Sequence, residues 1–346
     1  MFESHTNNLP QRVGFLLLPN FSMMAFTSAV EPLRAANRLS GKKLYSWQTF
    51  SIDGKPVHAS NGIALVPDAS IHEELDASAL FVCAGIRAER FNDEAVFARL
   101  RELAKRRVAL GGVCTGALAL ARAGLLNGYR CTIHWENMEG FVEDFPDLQI
   151  TATLFEIDRD RYTCSGGTAP LDMMIYSISR DFSDKLAIGV AEQMLHNFVR
   201  QPHDAQRMSI QYRTGISNPK LLAVIAYMEA YLESPVSLAE LATSVNLSIR
   251  QLERLFRNHL DKTPTRYYLD LRLRRAQLLL RQTTMPILQV AVASGFASAS
   301  HFARCYRECF NCSPRAERVQ REAAADLAER QGALQASGQN SSRATS

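Results

Sequence analysis

The chain has 346 residues, of which 47% are hydrophobic and 21% charged, and its formal net charge is +4. This length suits two or three domains, and the composition is that of a globular protein, which excludes disorder as the main state. No stretch approaches the roughly 18 uninterrupted apolar residues of a membrane-spanning helix, and residues 1–10 lack the apolar core of a signal peptide. We therefore expect a cytoplasmic protein without a membrane partner.

The seven cysteines are an odd number spread over both halves of the chain. This distribution favours reduced thiols over a disulfide framework. The one close group, Cys305, Cys309 and Cys312, lacks the second group that would complete the four ligands of a structural zinc site. The sequence thus predicts no metal site and no cofactor.

Apolar runs alternate with segments of helical periodicity over roughly the first 190 residues. The predicted strands are 13–18, 47–52, 80–84, 108–113 and 161–164, and the predicted helices are 23–38, 93–105, 116–126, 135–143 and 170–180. Continuous apolar strands followed by covering helices are typical of a buried parallel sheet. The alternation predicts an α/β sandwich around a mainly parallel sheet.

A candidate nucleophile lies in the segment 111–116 (Gly-Gly-Val-Cys-Thr-Gly), between a predicted strand and the helix that follows it. A nucleophile at a tight strand-to-helix turn, with glycines on either side, has the geometry of a nucleophile elbow. The helix N-terminus there would favour the thiolate of Cys114. Catalysis would also need an activating base, and His134 is the only local candidate.

Residues 200–218 are polar and predict a linker between two domains. The charge changes across it, because residues 1–200 hold 20 Lys and Arg against 23 Asp and Glu, whereas residues 219–319 hold 14 against 8. The basic part is expected to meet a polyanion. Only helical periodicity remains beyond the linker, and the composition of residues 320–346 predicts a disordered tail.

The basic part contains one pattern twice. Residues 240–247 align with 289–296 at an offset of 49, and 252–257 align with 302–307 after one extra residue in the second copy. Each copy reads as a short apolar helix, a sharp turn and a second helix with Arg on its outer face, which is the arrangement of a helix-turn-helix. Double-stranded DNA is therefore the expected partner.

A linker helix is predicted between the two copies. Apolar residues from Leu269 to Leu280 recur at helical spacing on one face, and Pro264 suits a first helical turn. A helix over 264–282 would be roughly 28 Å long at about 1.5 Å per residue, close to the roughly 34 Å of one DNA helical turn. It would hold two reading helices on one face of the DNA.

These features resemble the AraC/XylS family of bacterial transcription regulators. The resemblance spans residues 219–318 and includes both copies, the linker helix and the turn at Gly295 and Phe296. It implies a DNA-binding domain over 219–319, with recognition helices over 248–260 and 298–310. The residues implied in DNA contact are Arg250, Gln251, Glu253, Arg254, Arg257, Ser300, His301, Arg304 and Arg307. Of these, Arg257 and Arg307 are expected on phosphates or in packing, and the others except Gln251 near base edges.

The first half resembles the PfpI-like, class I glutamine amidotransferase-like fold. The resemblance is carried by the Cys114 turn, by 131–136 (Cys-Thr-Ile-His-Trp-Glu) and by 166–168 (Gly-Gly-Thr). Together with the second half, these segments resemble the GlxA subgroup of AraC-type regulators. The resemblance implies a flavodoxin-like sensing domain over 1–199 and a small amine or amino acid as effector, such as a betaine, carnitine or arginine.

The surroundings of Cys114 favour a binding pocket over an active site. Enzymes of this fold place His directly after the Cys, or an acid from the loop after the first strand near it, whereas this chain has Thr115 and no acid in 21–26. We predict no enzyme activity, with Cys114 and His134 as vestigial catalytic groups. The predicted pocket residues are Phe21, Phe26, Cys114, Thr115, His134, Trp135, Gly167 and Thr168. Their rings would take an ammonium group, and the amides near Thr115 and Thr168 a carboxylate.

Three functions remain open from the sequence alone. The favoured one is an effector-responsive transcription regulator, an activator that acts as a homodimer with RNA polymerase. The second is a Cys114-dependent amide hydrolase or deglycase joined to a DNA-binding domain. In the third, the first domain serves only dimerisation.

Overall fold

Residues 9–319 are described by a computed structural model. They divide after Arg207 into two units. The predicted tail over 320–346 lies outside the described range. No helix within that range is both long enough and apolar enough to cross a membrane.

The first unit alternates strands and helices. Its strands are β1 (Gln11–Leu17), β2 (Tyr45–Ser51), β3 (Val57–His58), β4 (Ala64–Leu65), β5 (Ala69–Ser70), β6 (Ala79–Cys83), β7 (Ala109–Val113), β8 (Arg130–Cys131), β9 (Gln149–Ile150), β10 (Phe155–Asp158) and β11 (Arg161–Cys164). Its helices are α1 (Met23–Ser40), α2 (Glu94–Lys105), α3 (Ala117–Arg122), α4 (Met138–Asp144), α5 (Ala169–Asp181) and α6 (Asp184–Gln193).

Seven of these strands form one sheet in the order β10-β11-β7-β6-β1-β2-β5. Neighbouring strands are parallel except β10 and β11, which are antiparallel. Successive side chains point to opposite faces, so Phe15 is buried in a cluster with α1 and α5, while Leu16 is buried in a cluster with α2 and α3. The predicted flavodoxin-like sandwich with a mainly parallel sheet is confirmed.

Two helices differ most from their predicted bounds, one because it ends early and one because it begins late. The helix predicted over 116–126 ends at Arg122, and Gly124 follows in the left-handed conformation with φ +73°. The helix predicted over 135–143 begins only at Met138, because residues 134–137 form a turn in which the Asn137 amide donates to the carbonyl of His134. Helix α6, strand β10 and the two-residue strands β3, β4, β5, β8 and β9 were not predicted.

The second unit consists of helices. They are α7 (Ile210–Thr214), α8 (Pro219–Ala230), α9 (Leu238–Ser244), α10 (Ile249–Leu260), α11 (Pro264–Gln282), α12 (Ile287–Ala293) and α13 (Ala299–Phe310). Helix α11 has the predicted bounds because the Thr263 hydroxyl accepts from the Arg266 amide, and Pro264 occupies the first turn. Such a cap satisfies an amide that the helix leaves free. The prediction of two helix-turn-helix motifs joined by a linker helix is confirmed.

Each helix-turn-helix has its own core, and α11 contributes to both. Tyr268, in the first half of α11, is buried with α8, α9 and α10. Leu273, Ala276 and Leu280, further along the helix, are buried with α12 and α13. A fully buried Leu side chain contributes about 1.5–3 kcal/mol to stability, and buried residues on both halves of α11 fix it to the two motifs.

The predicted linker 200–218 carries contacts on both sides of Arg207. Before it, the Pro202 carbonyl accepts from the Leu154 amide, and Ala205 forms a bridge with Thr153. After it, α7 begins with a hydrogen bond from the Tyr212 amide to the Ser209 hydroxyl. The free peptide between the two units is therefore shorter than the polar composition suggested.

Candidate DNA interface and effector site

The first reading helix, α10, begins at a reciprocal cap. The Ser248 hydroxyl accepts from the Gln251 amide at 3.2 Å, and the Gln251 side chain accepts from the Ser248 amide at 2.8 Å. This capping box satisfies two amides and fixes where the helix starts. Leu252 and Phe256 face the core, so the opposite face presents Arg250, Gln251, Arg254 and Arg257 as exposed and Glu253 as partly exposed.

The second reading helix, α13, has a simpler start. The Ser298 hydroxyl accepts from the His301 amide at 3.4 Å, and His301 stands where the first copy has Gln251. The His301 ring instead meets the edge of Phe296, with ring centroids 5.8 Å apart. Ser300, His301, Arg304 and Arg307 are all exposed. The predicted contact residues of both helices therefore lie on accessible faces.

The turns of the two motifs differ in the residue that their left-handed position can hold. Asn246 and Gly295 both have a left-handed backbone, with φ of +53° and +76°. A Cβ added to Gly295 would lie 2.5 Å from the carbonyl oxygen of Leu232 and 2.6 Å from Pro235, which belong to the first motif's half. Glycine is thus required in the second copy by close contact as well as by conformation.

Arg272 of α11 fixes the second turn. Its guanidinium carbon lies 4.3 Å from the centroid of the Phe296 ring. Its Nε donates to the carbonyl of Ser294 at 2.9 Å, and its Nη2 to that of Gly295 at 2.5 Å. Burial lowers the pKa of Arg272, and the two carbonyls together with the ring compensate the buried charge. The linker helix thus positions the start of the second motif directly.

In the first unit, the predicted effector residues gather around the carboxyl ends of β6, β7 and β11. Cys114 follows β7 with φ +61°, a strained conformation for a residue with a side chain. Its amide donates to the carbonyl of Cys164 at 3.1 Å, and the Thr115 hydroxyl donates to that of Gly85 at 2.7 Å. A Cβ on Gly116 would lie 1.9 Å from the Val82 carbonyl. The backbone therefore has the elbow conformation expected from the glycine spacing.

The chemistry of Cys114 differs from the expectation. Burial raises the pKa of its thiol to about 11, so the thiol is protonated at neutral pH. Helix α3 has only six residues, and the amides of Cys114 and Gly116 already donate to the carbonyls of Cys164 and Val113. Desolvation therefore outweighs the helix dipole, and these two amides are not available to an anion.

His134 is not placed to activate Cys114. Burial lowers the pKa of its half-buried ring, which favours the neutral form. Its Nδ1 accepts from the Glu136 amide at 3.3 Å. Within residues 9–319, no hydrogen bond joins His134 to Cys114. The pair thus lacks the contact by which a base activates a nucleophile.

The aromatic residues separate into core and surface. Phe21 is fully buried and Phe26 is 6% exposed. The two rings meet edge to face at 5.9 Å, and Phe26 meets Phe15 in the same way at 5.5 Å. They pack as core residues, so the predicted cage of three rings is not formed. Trp135 is partly exposed, and the Arg207 guanidinium carbon lies 4.5 Å from its ring centroid.

Gly167 and Thr168 lie at the N-terminus of α5, a helix of 13 residues. Within the described range their amides make no hydrogen bond with the protein. The Thr168 hydroxyl accepts from Arg200 at 2.6 Å, and Arg200 and His196 both bind the fully buried carboxylate of Asp172. The start of α5 therefore offers free amides beside a fixed guanidinium.

Comparison with known proteins identifies the family. Residues 241–320 match the helix-turn-helix domain family, and residues 11–179 match the DJ-1/PfpI family. The chain is 47% identical over 312 residues to the transcriptional regulator GbdR of Pseudomonas aeruginosa, which covers 90% of this chain and 85% of that protein. It is 46% identical to the transcriptional regulator CdhR of the same species, over 90% of this chain and 92% of that protein.

The chain belongs to the AraC family of transcriptional regulators, in the subgroup with a DJ-1/PfpI domain before the helix-turn-helix. A crystal structure of an AraC family regulator from Pseudomonas putida is 34% identical, with a TM-score of 0.49, and covers 54% of this chain and all of that one. These relatives are named as regulators and not as enzymes. Their names agree with the expectation that the chain regulates transcription and does not catalyse a reaction.

This AraC-family chain also has a groove that the sequence did not indicate. Its volume is about 330 Å³, and it lies at the amino ends of β1 and β2, lined by Gly14, Trp47 and Gln48 among others. Arg12 and Asp76 form an ion pair at its edge, 2.8 Å apart. Because β1 and β7 run in the same direction across the sheet, the groove lies at the opposite edge from Cys114. The groove is therefore separate from the predicted effector residues, which lie at the Cys114 edge of the sheet.

Two other results concern residues outside the predicted site. Within residues 9–319 no group of three or more His, Cys, Asp or Glu is arranged to hold a metal ion; the Cys312 thiol instead donates to the Glu317 carboxylate at 3.2 Å. Arg207, which contacts Trp135, was missed from the sequence. Arg272, which contacts the second turn, belongs to the sequence pattern of the linker helix, but no role was predicted for it.

Proposed function

We propose that this regulator reads two adjacent major-groove segments of DNA with α10 and α13, and that a small cationic amine or amino acid bound at Trp135 controls it. The DNA half rests on one observation: two capped helices with exposed arginine faces are joined by a single helix of 19 residues. That helix is roughly 28 Å long, against the roughly 34 Å between adjacent half-sites.

The two helices are proposed to read bases with different side chains. In α10, Arg250 and Arg254 can each donate two hydrogen bonds to guanine. In α13, Arg304 keeps this ability, while Ser300 and His301 discriminate less. Arg257 and Arg307 lie a turn later and are assigned to phosphates. We therefore expect α10 to discriminate bases more strongly than α13.

The effector site is proposed on two features near Cys114. Trp135 presents an indole ring, which binds cations better than other aromatic rings. The amides of Gly167 and Thr168 at the start of α5 suit a carboxylate. An effector with both charges, such as a betaine, carnitine or arginine, fits this pair of groups, whereas the protonated thiol of Cys114 supplies neither charge nor nucleophile.

The remaining assignments follow from the family resemblance. We propose that the protein acts in the cytoplasm as a homodimer, and that it activates transcription through RNA polymerase. Dimerisation by the first unit is compatible with effector binding by the same unit, so the two need not be alternatives.

A thermal-shift screen of the full-length protein tests the effector site. A compound that binds the folded state raises its melting temperature by mass action. We expect glycine betaine, carnitine or L-arginine to raise it, and Trp135→Leu to abolish the rise. The control is Trp47→Leu, which removes the other tryptophan and should leave the rise unchanged. A rise that persists in Trp135→Leu, or none with any compound, contradicts the proposed site.

A further inference from the structure

We infer that Arg207 is an internal competitor for the cation site at Trp135, and that a bound effector displaces it and so frees the peptide that leads to the DNA-binding unit. The inference rests on the proposed function, because it uses the same ring as the effector site. It adds a way in which effector binding at the Trp135 ring can affect the second unit.

The first support is the position of Arg207. It is the last residue of the first unit, and its guanidinium covers the Trp135 ring at 4.5 Å. A quaternary ammonium or guanidinium group would bind the same ring by the same electrostatic attraction. If an effector cation takes the ring face that Arg207 contacts, Arg207 has to leave it.

The second support is the way in which the preceding peptide is held. We call residues 202–207 the strap. The side-chain nitrogen of Gln206 in the strap lies 2.9 Å from the Thr132 hydroxyl oxygen and 2.9 and 2.8 Å from the carbonyl oxygens of Ile133 and Thr153, so its two hydrogens are shared among three acceptors. Thr132 and Ile133 directly precede His134 and Trp135. The strap is therefore bound to the base of the loop that carries the proposed cation site.

One polar atom of the strap is buried without a hydrogen bond. The side-chain oxygen of Gln206 is buried and has no hydrogen-bond partner within the described residues. A buried acceptor without a donor is unfavourable, so part of the gain from the hydrogen bonds that the side-chain nitrogen donates is offset. Such a balance lets a modest competing interaction at Trp135 release the strap.

The link to the second unit is short. Helix α7, the first helix of that unit, begins at Ile210 and is capped by Ser209. Once Arg207 and Gln206 leave the Trp135 loop, the peptide between the two units lengthens by the residues of the strap. An effector that binds the released form better shifts the population toward it, as any ligand with unequal affinity for two states does.

Arg207→Gln in the full-length protein tests this by calorimetric titration with glycine betaine and with L-arginine. Removing the competitor should tighten binding of the probe roughly two- to fivefold, the factor that corresponds to an exposed cation–π contact. Arg207→Lys keeps a cation and should stay close to the wild type. The matched control is Arg159→Gln, which removes another guanidinium from an aromatic ring, that of Tyr129 at 3.8 Å, and should change nothing.

Hydrogen exchange of the strap amides gives the second measurement. Exchange over residues 203–207 should rise in Arg207→Gln without any probe, and in the wild type when the probe is added. Equal probe affinity in wild type and Arg207→Gln, or unchanged strap exchange, overturns the inference but leaves the effector site intact. If neither probe binds either protein, the proposed effector function fails, and this inference fails with it.

Discussion

Arg272 and Phe296 connect the linker helix to the second helix-turn-helix, with the guanidinium carbon 4.3 Å from the ring centroid. The same side chain donates to the carbonyls of Ser294 and Gly295, which form the turn between α12 and α13. Phe296 in turn meets the ring of His301 on the reading helix. Arg272, which is not among the proposed DNA contacts, therefore helps to set the position of His301, which is one of them.

Replacing Arg272 should weaken the second motif. We expect Arg272→Ala to lower the free energy of unfolding by about 1–3 kcal/mol, because two carbonyls lose a charged donor and a ring loses its cation. Urea denaturation measures this. Arg274→Ala, an exposed change in the same helix, should stay within about 0.5 kcal/mol. Equal losses of unfolding free energy in the two variants would show that the positive charge of the helix, and not the contacts of Arg272, stabilises the protein.

Arg254 should contribute to sequence preference, whereas Arg257 should contribute to sequence-independent affinity for DNA. Arg254→Ala is expected to lose about 1–3 kcal/mol on the preferred sequence and to relax preference at one base position. Arg257→Ala should weaken all sequences alike and reduce the salt dependence of binding by about one phosphate contact. Fluorescence anisotropy over a set of single-base variants distinguishes them, and a uniform loss for Arg254→Ala would refute its role in base reading.

Cys114 should make the protein less stable at alkaline pH. Its folded pKa is about 11 against 9.0 for an unburied thiol. As pH rises past 9, the unfolded chain loses this proton first, so the folded state binds more protons and the free energy of unfolding falls. Cys114→Ala removes that loss, so the stability of the variant relative to wild type should improve by roughly 1 kcal/mol between about pH 8 and pH 10.

Urea denaturation of both proteins at the two pH values checks this expectation. No change between them would mean that folding does not raise the pKa of Cys114, and a change in favour of the wild type would mean that folding lowers this pKa and favours the thiolate. The variant should also keep its response to the effector, because the thiol is protonated and His134 does not contact it.

Asp172 should be among the residues most important for the stability of the first unit. Its carboxylate is fully buried and binds His196 at 2.7 Å and Arg200 through two guanidinium nitrogens. Asp172→Ala leaves these groups without their partner and should lower the free energy of unfolding by about 3–5 kcal/mol. Glu31→Ala breaks the exposed pair with Arg34 and should lower it by less than about 1 kcal/mol. Calorimetry of the two variants tests the contrast.

The sequence predicts an element well where its ends are set by neighbouring residues. Helix α11 runs from Pro264 to Gln282 as expected, since Thr263 caps it and Pro264 occupies its first turn. Both reading helices start after a serine cap, at Ser248 and Ser298. Strands β3, β4, β5, β8 and β9 were missed because two residues are too few to show an alternating pattern, and α6 because it follows α5 without an intervening strand.

The site was harder to predict because burial and long-range contacts decide it. Phe21 and Phe26 have spacings that fit a cage or a core, and only the packing of Phe15 against Phe26 distinguishes them. The pKa of Cys114 depends on desolvation, which local sequence does not reveal. The stacking of Arg207 on Trp135 joins the linker to a distant loop, and no local pattern encodes it.

The decisive experiment is footprinting of the full-length protein on a DNA site selected from a random pool. We expect two protected major-groove segments on one face of the DNA, about one helical turn apart, with Arg254→Ala removing protection in one segment and Arg304→Ala in the other. The effector should change the extent of protection. A single protected segment, or loss of both segments with either variant, would contradict a regulator that reads DNA with two linked helices.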